Sequence, residues 1–295
     1  MRPTDIDDIV GATARLVAEL YVFPDVGARV AAGLEAHRAA GRYAAAPDLE
    51  RLSALVTEDL QAVNGDRHLR LVHHADELPD LPGPEMMVAM LTARATRSMN
   101  GVARVERLDG NVALLELELL FPPGIAGGAL TAAMQLVASA ATLILDLRGC
   151  IGGDPWTVAL LCSYLFDEPV HLNDIYERES GRTTQSWTLP FVPGDRFGAT
   201  KPVFVLTSGA TFSGGEELAY DLQQLGRATV IGEPTGGGAH PRVGRRLHPH
   251  LELTLPTGRA INPVSGTNWE GVGVQPDVVV HADTALEVAL SSASR

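Results

Sequence analysis

From residue 4 to about residue 63, apolar positions recur at helical spacing. In DIDDIVGATARLVAEL the residues Ile6, Ile9, Val10, Leu16, Val17 and Leu20 share a face, with Thr4 placed to cap the start. FPDVGARVAAGLEAHRAAG predicts a second helix, with Pro24 near its first turn and Gly41 after its end. PDLERLSALVTEDLQAV predicts a third, opening at Asp48. HLRLVHH, from His68, reads as a strand. The Pro- and Gly-containing stretch from Ala75 to about Met99 reads as a linker with a short helix. RVERLDGNVALLELELLF then forms two runs joined at Asp109-Gly110-Asn111, the turn chemistry of a hairpin. Beyond it, apolar runs alternate with amphipathic ones. A helix near Ala129–Ala138 is followed by strand LILDLRG, helix WTVALLCSYLF, strand PVFVLTS, helix GEELAYDLQQLG and strand ATVIGEP. Continuous Val, Ile and Leu in such strands point to βαβ units around a buried sheet.

Two turns in this alternation carry candidate chemistry. In VFVLTSGATFSGGEELAYDLQQLG, Ser213 falls between a strand and a helix that opens with Gly214-Gly215. A hydroxyl there sits at the positive end of a helix beside amides that lack intrahelical partners. The plain alternative is that Ser213 and Glu216 form a capping box. In DLRGCIGGD, Asp146 and Arg148 end a strand before Gly152-Gly153, either an amide-presenting turn or a structural one capped by Asp154.

Four blocks together resemble the tail-specific (C-terminal-processing) serine peptidase superfamily, in its tricorn-like and interphotoreceptor retinoid-binding protein-like branch. They are LILDLRGCIGG, TSGATFSGGEE, GRATVIGEPTGGGAHP and WEGVGVQPD. The helical start with its YVFP looks like the opening of a retinoid-binding-protein module, so the resemblance covers nearly the whole chain. It implies an α/β fold with a crotonase-like spiral core, here preceded by the N-terminal three-helix bundle read above. Familiar tail-specific enzymes carry a PDZ domain between the first strand and the core; the about 25 residues in that place are too few for one, so no PDZ domain is expected. The expected division is residues 1–63 as the helical bundle, 64–100 as strand and linker, and 101–295 as the catalytic core. It implies a serine-type peptidase with Ser213 as nucleophile and an oxyanion hole from Gly214 and Gly152.

A serine hydroxyl needs a base. The chain has one lysine, Lys201, ahead of the strand that leads to Ser213, and Gly236–Ala239 stand where the tail-specific branch carries its lysine. The tricorn-like resemblance supplies His68 as the base and Glu270 as its carboxylate, with activity rising through a pKa near 6.5 or somewhat higher. His240 is the alternative base or a residue of the substrate loop. The chain departs from the family pattern at Arg67, where tricorn-like enzymes have serine, and at Cys150, where the Gly-Gly turn has Asn. An apolar-ligand binding module (retinoid or fatty acid) and an esterase are the rival readings.

A formal net charge of −13 argues against nucleic-acid or anionic-membrane partners; the resemblance implies a peptide or protein substrate. Two cysteines make no disulfide framework, the acidic start lacks the features of a signal peptide, and a cytoplasmic location is expected. Residues 124–145 carry no charge but read as a helix feeding a core strand. The pairs His73-His74 and His248-Pro249-His250 lack partners at ligand spacing, so neither metal nor cofactor is expected. Homo-oligomerisation is left open.

Overall fold

A computed structural model describes residues 3–78 and 83–293; residues 79–82 of the expected linker lie outside the described residues. In chain order the elements begin with α1 (Pro3–Leu20), α2 (Pro24–Ala39), α3 (Leu49–Gln61), β1 (Arg70–His73) and α4 (Pro84–Arg97). There follow β2 (Val102–Leu108), β3 (Val112–Leu117), α5 (Pro123–Val137), β4 (Thr142–Asp146), α6 (Pro155–Ser163), β5 (His171–Glu177) and β6 (Arg182–Trp187). The rest are β7 (Val203–Thr207), α7 (Gly214–Gln224), β8 (Thr229–Gly232), β9 (Arg242–His248), β10 (Leu251–Pro256), β11 (Gly258–Ile261), β12 (Val278–Val279) and α8 (Ala285–Ala293). The chain divides into two compact units, each discontinuous in sequence.

The first unit comprises Met1–Gly83, Ile175–Thr183 and His240–Ala260. Helices α2 and α3 are bounded as their punctuation predicts. Asp48 caps α3 by accepting the Arg51 N–H at 2.7 Å, Pro24 opens α2, and Gly41 leaves it with φ 77°. Helix α1 runs from Pro3, so the start expected at Thr4 falls inside the helix. Val10, Val17, Tyr21, Leu34, Leu52, Val56 and Leu60 form one buried cluster with Leu71, Leu253 and Leu255. The last three project from the antiparallel sheet β1-β10-β9, in which Leu71 faces Leu253. His68, expected to start the strand, lies in the turn before it, closed by the Leu69 N–H on Asp66 O at 3.2 Å.

The second unit comprises Pro84–Asp174, Thr184–Ala239 and Ile261–Arg295. Its sheet has the order β12-β8-β7-β4-β3-β2. The β2–β3 hairpin is antiparallel and every other pair is parallel. All five residues of β4 are buried, as a strand covered on both faces requires. Leu114, Ile144, Leu206 and Ile231 meet α8 through Ala285 and Ala289. Because β4 and β7 are parallel neighbours, the turns that follow them emerge together at the carboxyl ends of the strands, where open α/β sheets place their ligands. A further sheet has the order β11-β5-β6. From Pro84 to Arg97 the chain is a helix.

Candidate active site

Ser213 sits between β7 and α7 with φ 52° and ψ −120°. A positive φ is uncommon for a residue with a Cβ, and the extended backbone of an ordinary N-cap is absent. Several bonds hold the turn. The Thr211 hydroxyl donates to Leu147 O at 2.8 Å, the Ser208 hydroxyl to Arg148 O at 2.6 Å, and the Phe212 N–H to Cys150 O at 2.9 Å. Each ties the Ser213 turn to the one after β4. The Gly214 N–H belongs to the first turn of α7, where amides have no intrahelical acceptor.

The turn after β4 brings Gly152 against Ser213. A Cβ at Gly152 would stand 2.7 Å from Ser213 Cβ and 2.9 Å from Gly214 N, and its φ of 105° also calls for glycine. Asp146 anchors the turn through a two-bond pair with Arg148, at 2.9 and 2.6 Å. Asp154 caps α6 by accepting the Trp156 N–H at 2.9 Å, so the structural reading of this segment and the functional one both hold. Cys150, where Asn was expected, is buried. Burial pushes its thiol up to about 11, and the Gly152 N–H directed at the sulfur offsets that in part. The main-chain bond to Phe212 does not depend on the side chain, which explains how the turn survives the replacement.

Glu216, on the first turn of α7, is completely buried. One carboxylate oxygen accepts the Ser213 N–H at 2.7 Å and the Gly238 N–H at 2.8 Å. The other accepts the Thr235 hydroxyl at 2.5 Å and the Gly237 N–H at 2.6 Å. Burial raises its pKa, and these four donors pull the other way. The next amide, of Ala239, donates to Glu270 at 2.6 Å. Three successive amides of the Gly-rich loop are therefore held by carboxylates. Trp269 Nε1 donates to Gly238 O at 2.9 Å, fixing the Glu270 segment to the same loop.

Ser213, Gly214, Gly152 and Glu270 all belong to the second unit; His68 and His240 belong to the first. In the first unit Asp66, which nothing in the sequence pattern had singled out, gathers both histidines. Its Oδ2 meets His240 Nδ1 at 2.7 Å and accepts the Tyr21 hydroxyl at 2.8 Å, while Oδ1 accepts the His68 N–H at 2.9 Å. Burial alone would raise the Asp66 pKa. The bonds from His240, Tyr21 and His68 more than offset it and hold the carboxyl below its usual range. The Phe23 ring packs edge-on to His240 at 5.4 Å. His68 is 5% exposed, and burial pushes its pKa down to about 4, aided by Arg242, His240 and Arg70 and opposed by Asp66. The sequence expectation of a pKa near 6.5 or above is corrected on this point: desolvation outweighs the nearby carboxylate.

Lys201 is engaged elsewhere. Its ammonium donates to Ala138 O at 2.5 Å and Ala140 O at 3.2 Å, beside the Phe197 ring. These partners lie at the opening end of β4, whereas Ser213 follows the closing end of β7; a five-residue strand spans about 16 Å.

Two family descriptions match the chain: peptidase family S41 over residues 123–280, and the N-terminal domain of peptidase S41 in eukaryotic IRBP, the retinoid-binding protein, over residues 3–100. A carboxy-terminal-processing protease of Bartonella bacilliformis is 38% identical over 80 residues. That stretch is 27% of this chain and only 18% of the relative's length. Among solved structures, a Parabacteroides merdae protein described as a peptidase superimposes with a TM-score of 0.69 at 19% identity, covering 100% of this chain and 98% of its own. The tricorn protease does so with a TM-score of 0.60 at 14% identity, over 97% of this chain and 35% of its own. These likenesses establish a shared fold. Among the described residues no helix is long and apolar enough to cross a membrane. With one family description spanning more than half its length, the chain belongs to peptidase family S41.

Proposed function

We propose that this chain hydrolyses peptide bonds as a serine-type peptidase, through a crotonase-like core preceded by a helical cap. Ser213 Oγ attacks the scissile carbonyl. His68, neutral at physiological pH because of its burial, takes the proton and returns it to the leaving amine, and Glu270 orients and stabilises the imidazolium. The Gly214 N–H and the Gly152 N–H receive the oxyanion. Thiol sulfur is a weak acceptor, so turning the Gly152 amide from Cys150 to an oxyanion replaces a weak bond with a charge-assisted one. Water then releases the acyl group from Ser213. His240, held by Asp66, anchors the end of the Gly-rich loop and is the alternative base. The observation that carries the reading is the strained Ser213 backbone at a helix start with the Gly152 Cα packed against its Cβ. A capping serine needs neither feature.

The test is a serine-reactive fluorophosphonate probe on the full chain, followed by peptide mapping. Covalent labelling of Ser213, lost in Ser213→Ala, is expected. Absence of labelling in folded protein, with no hydrolysis of a peptide library, overturns the proposal.

A further inference from the structure

Glu216 does more than cap a helix. A capping glutamate needs one bond, back to the N-cap amide. Here the carboxylate is completely buried and takes four donors, from three separate points of the chain. One is the amide of Ser213 itself; the others are the Thr235 hydroxyl and the amides of Gly237 and Gly238. Thr235 Oγ1 in turn accepts the Val274 N–H at 2.7 Å, and the next loop amide, Ala239, reaches Glu270. The Gly-rich loop is drawn in close enough that a Cβ at Gly236 would stand 2.7 Å from the Phe212 ring.

We infer that Glu216 is a positioning residue for the acylation step: its carboxylate locks the Ser213 turn to the Gly-rich loop and, through that loop, to the Glu270 segment. The inference rests on the serine-peptidase reading. It adds a residue that does not touch substrate but fixes the angle at which Ser213 is presented. A consequence is that the amides of Gly237, Gly238 and Ala239 are committed to carboxylates and do not form a substrate-anion cradle.

Only a carboxylate satisfies this geometry. Glutamine has the same shape but one acceptor oxygen. If its NH2 lies on the first side, it opposes the Ser213 and Gly238 N–H groups; on the other, it opposes the Gly237 N–H. Either orientation leaves a buried backbone donor facing another donor. The strained φ of Ser213 then loses the restraint on its own amide.

The experiment compares the full-length parent, Glu216→Gln, Thr235→Val and Thr235→Ser. It measures the second-order rate of fluorophosphonate acylation, kcat and KM on a peptide substrate, and urea unfolding. Glu216→Gln should acylate about 100-fold more slowly, the cost of misplacing a reacting group by about 1 Å, with KM within a factor of about 3. Thr235→Val, which removes one donor, should show a smaller loss in the same direction, and Thr235→Ser should restore the parent rate. A rate in Glu216→Gln within about 3-fold of the parent overturns the inference, as does a loss fully accounted for by unfolded protein. If Glu216→Gln does not fold, the Thr235 pair decides: equal rates in the Val and Ser variants overturn the inference. A parent not labelled at Ser213 would instead defeat the peptidase reading, a distinct outcome.

Discussion

Replacing Glu217 by glutamine should stabilise this protein above neutral pH and leave it nearly unchanged in mild acid. Glu217 and Asp221 lie one turn apart on α7, and both are buried. Each carboxyl receives one weak or ordinary amide donor: Asn173 Nδ2 reaches Glu217 at 3.4 Å, and Asn262 Nδ2 reaches Asp221 at 3.1 Å. The neighbours are Cys162, pushed up by burial and by both acids, and Asp154, whose charge also disfavours ionisation of Glu217. No cation offsets this among the groups that shift Glu217 or Asp221. Burial, the largest cause, pushes Glu217 up to about 7, and it raises Asp221 well above the carboxylate range, with Glu217 adding to the effect.

An acid whose folded pKa is raised holds its proton longer in the folded state than in the unfolded one. Its penalty is absent below the unfolded value of 4.5 and grows as pH rises toward the folded value of about 7. At about 1.4 kcal/mol per unit, the gap corresponds to roughly 3 kcal/mol, a large part of the stability of an ordinary domain. Glutamine keeps the oxygen that accepts from Asn173 and carries no charge to lose. Urea unfolding of parent and Glu217→Gln at intervals from pH 4.5 to 8.5 should give curves that coincide at the acid end and diverge by roughly 3 kcal/mol in favour of the variant above pH 7. Parallel curves across that range would refute the reasoning, because burial would then not be penalising the charge.

Other outcomes follow from the same contacts. Gly152→Ala should abolish fluorophosphonate labelling, since its Cβ would meet Ser213 Cβ at 2.7 Å; labelling at the parent rate would separate this turn from the site. His68→Ala should lower kcat by about 1,000-fold and Glu270→Gln by less, while near-normal turnover in His68→Ala beside a dead His240→Ala would transfer the base role to His240. With His68 held to about 4, kcat/KM should rise through a pH near 4, and a midpoint near 6.5 would contradict the burial argument. Hydrolysis should persist in EDTA; a loss that zinc restores would revive a metal-dependent reading.

The helices and the parallel core were legible because their signals are local. Asp48 caps α3 within its own turn, Asp109-Gly110-Asn111 closes its hairpin unaided, and the run in β4 is uniformly buried. Some of what escaped had a local signal, as in the alternating LELTLP of β10; the rest was non-local or polar. RTTQSW in β6 and RVGRRLH in β9 present too few apolar residues for an alternation to show, and β9 becomes a strand by pairing with β10. Asp66 finds its partner His240 at a sequence separation of 174, so no spacing rule could join them. The GDRHL string does place an Asp two residues before a candidate histidine, which is the one signal available. The burial of His68, which reverses the direction of its pKa shift, depends on what covers the turn and has no trace in the local sequence.

Helix α7 shows how far burial alone falls short as a guide to what an acid does. Glu216, Glu217 and Asp221 are all buried on one helix, and in the sequence GGEELAYDL they look interchangeable. Donors distinguish them. Four converge on Glu216, opposing the burial that raises its pKa, and make the carboxylate a clamp. Glu217 and Asp221 receive one amide donor each, too little to offset the burial that favours the protonated form. The same chemical change at adjacent positions should therefore have opposite consequences: glutamine at 216 removes an acceptor that buried amides require, and glutamine at 217 removes a charge that the single long bond from Asn173 does not offset. Measured above neutral pH, the first variant should lose acylation rate without gaining stability, and the second should gain stability with its acylation rate kept. If both variants moved stability in the same direction by similar amounts, desolvation would be the governing quantity and the count of donors would not.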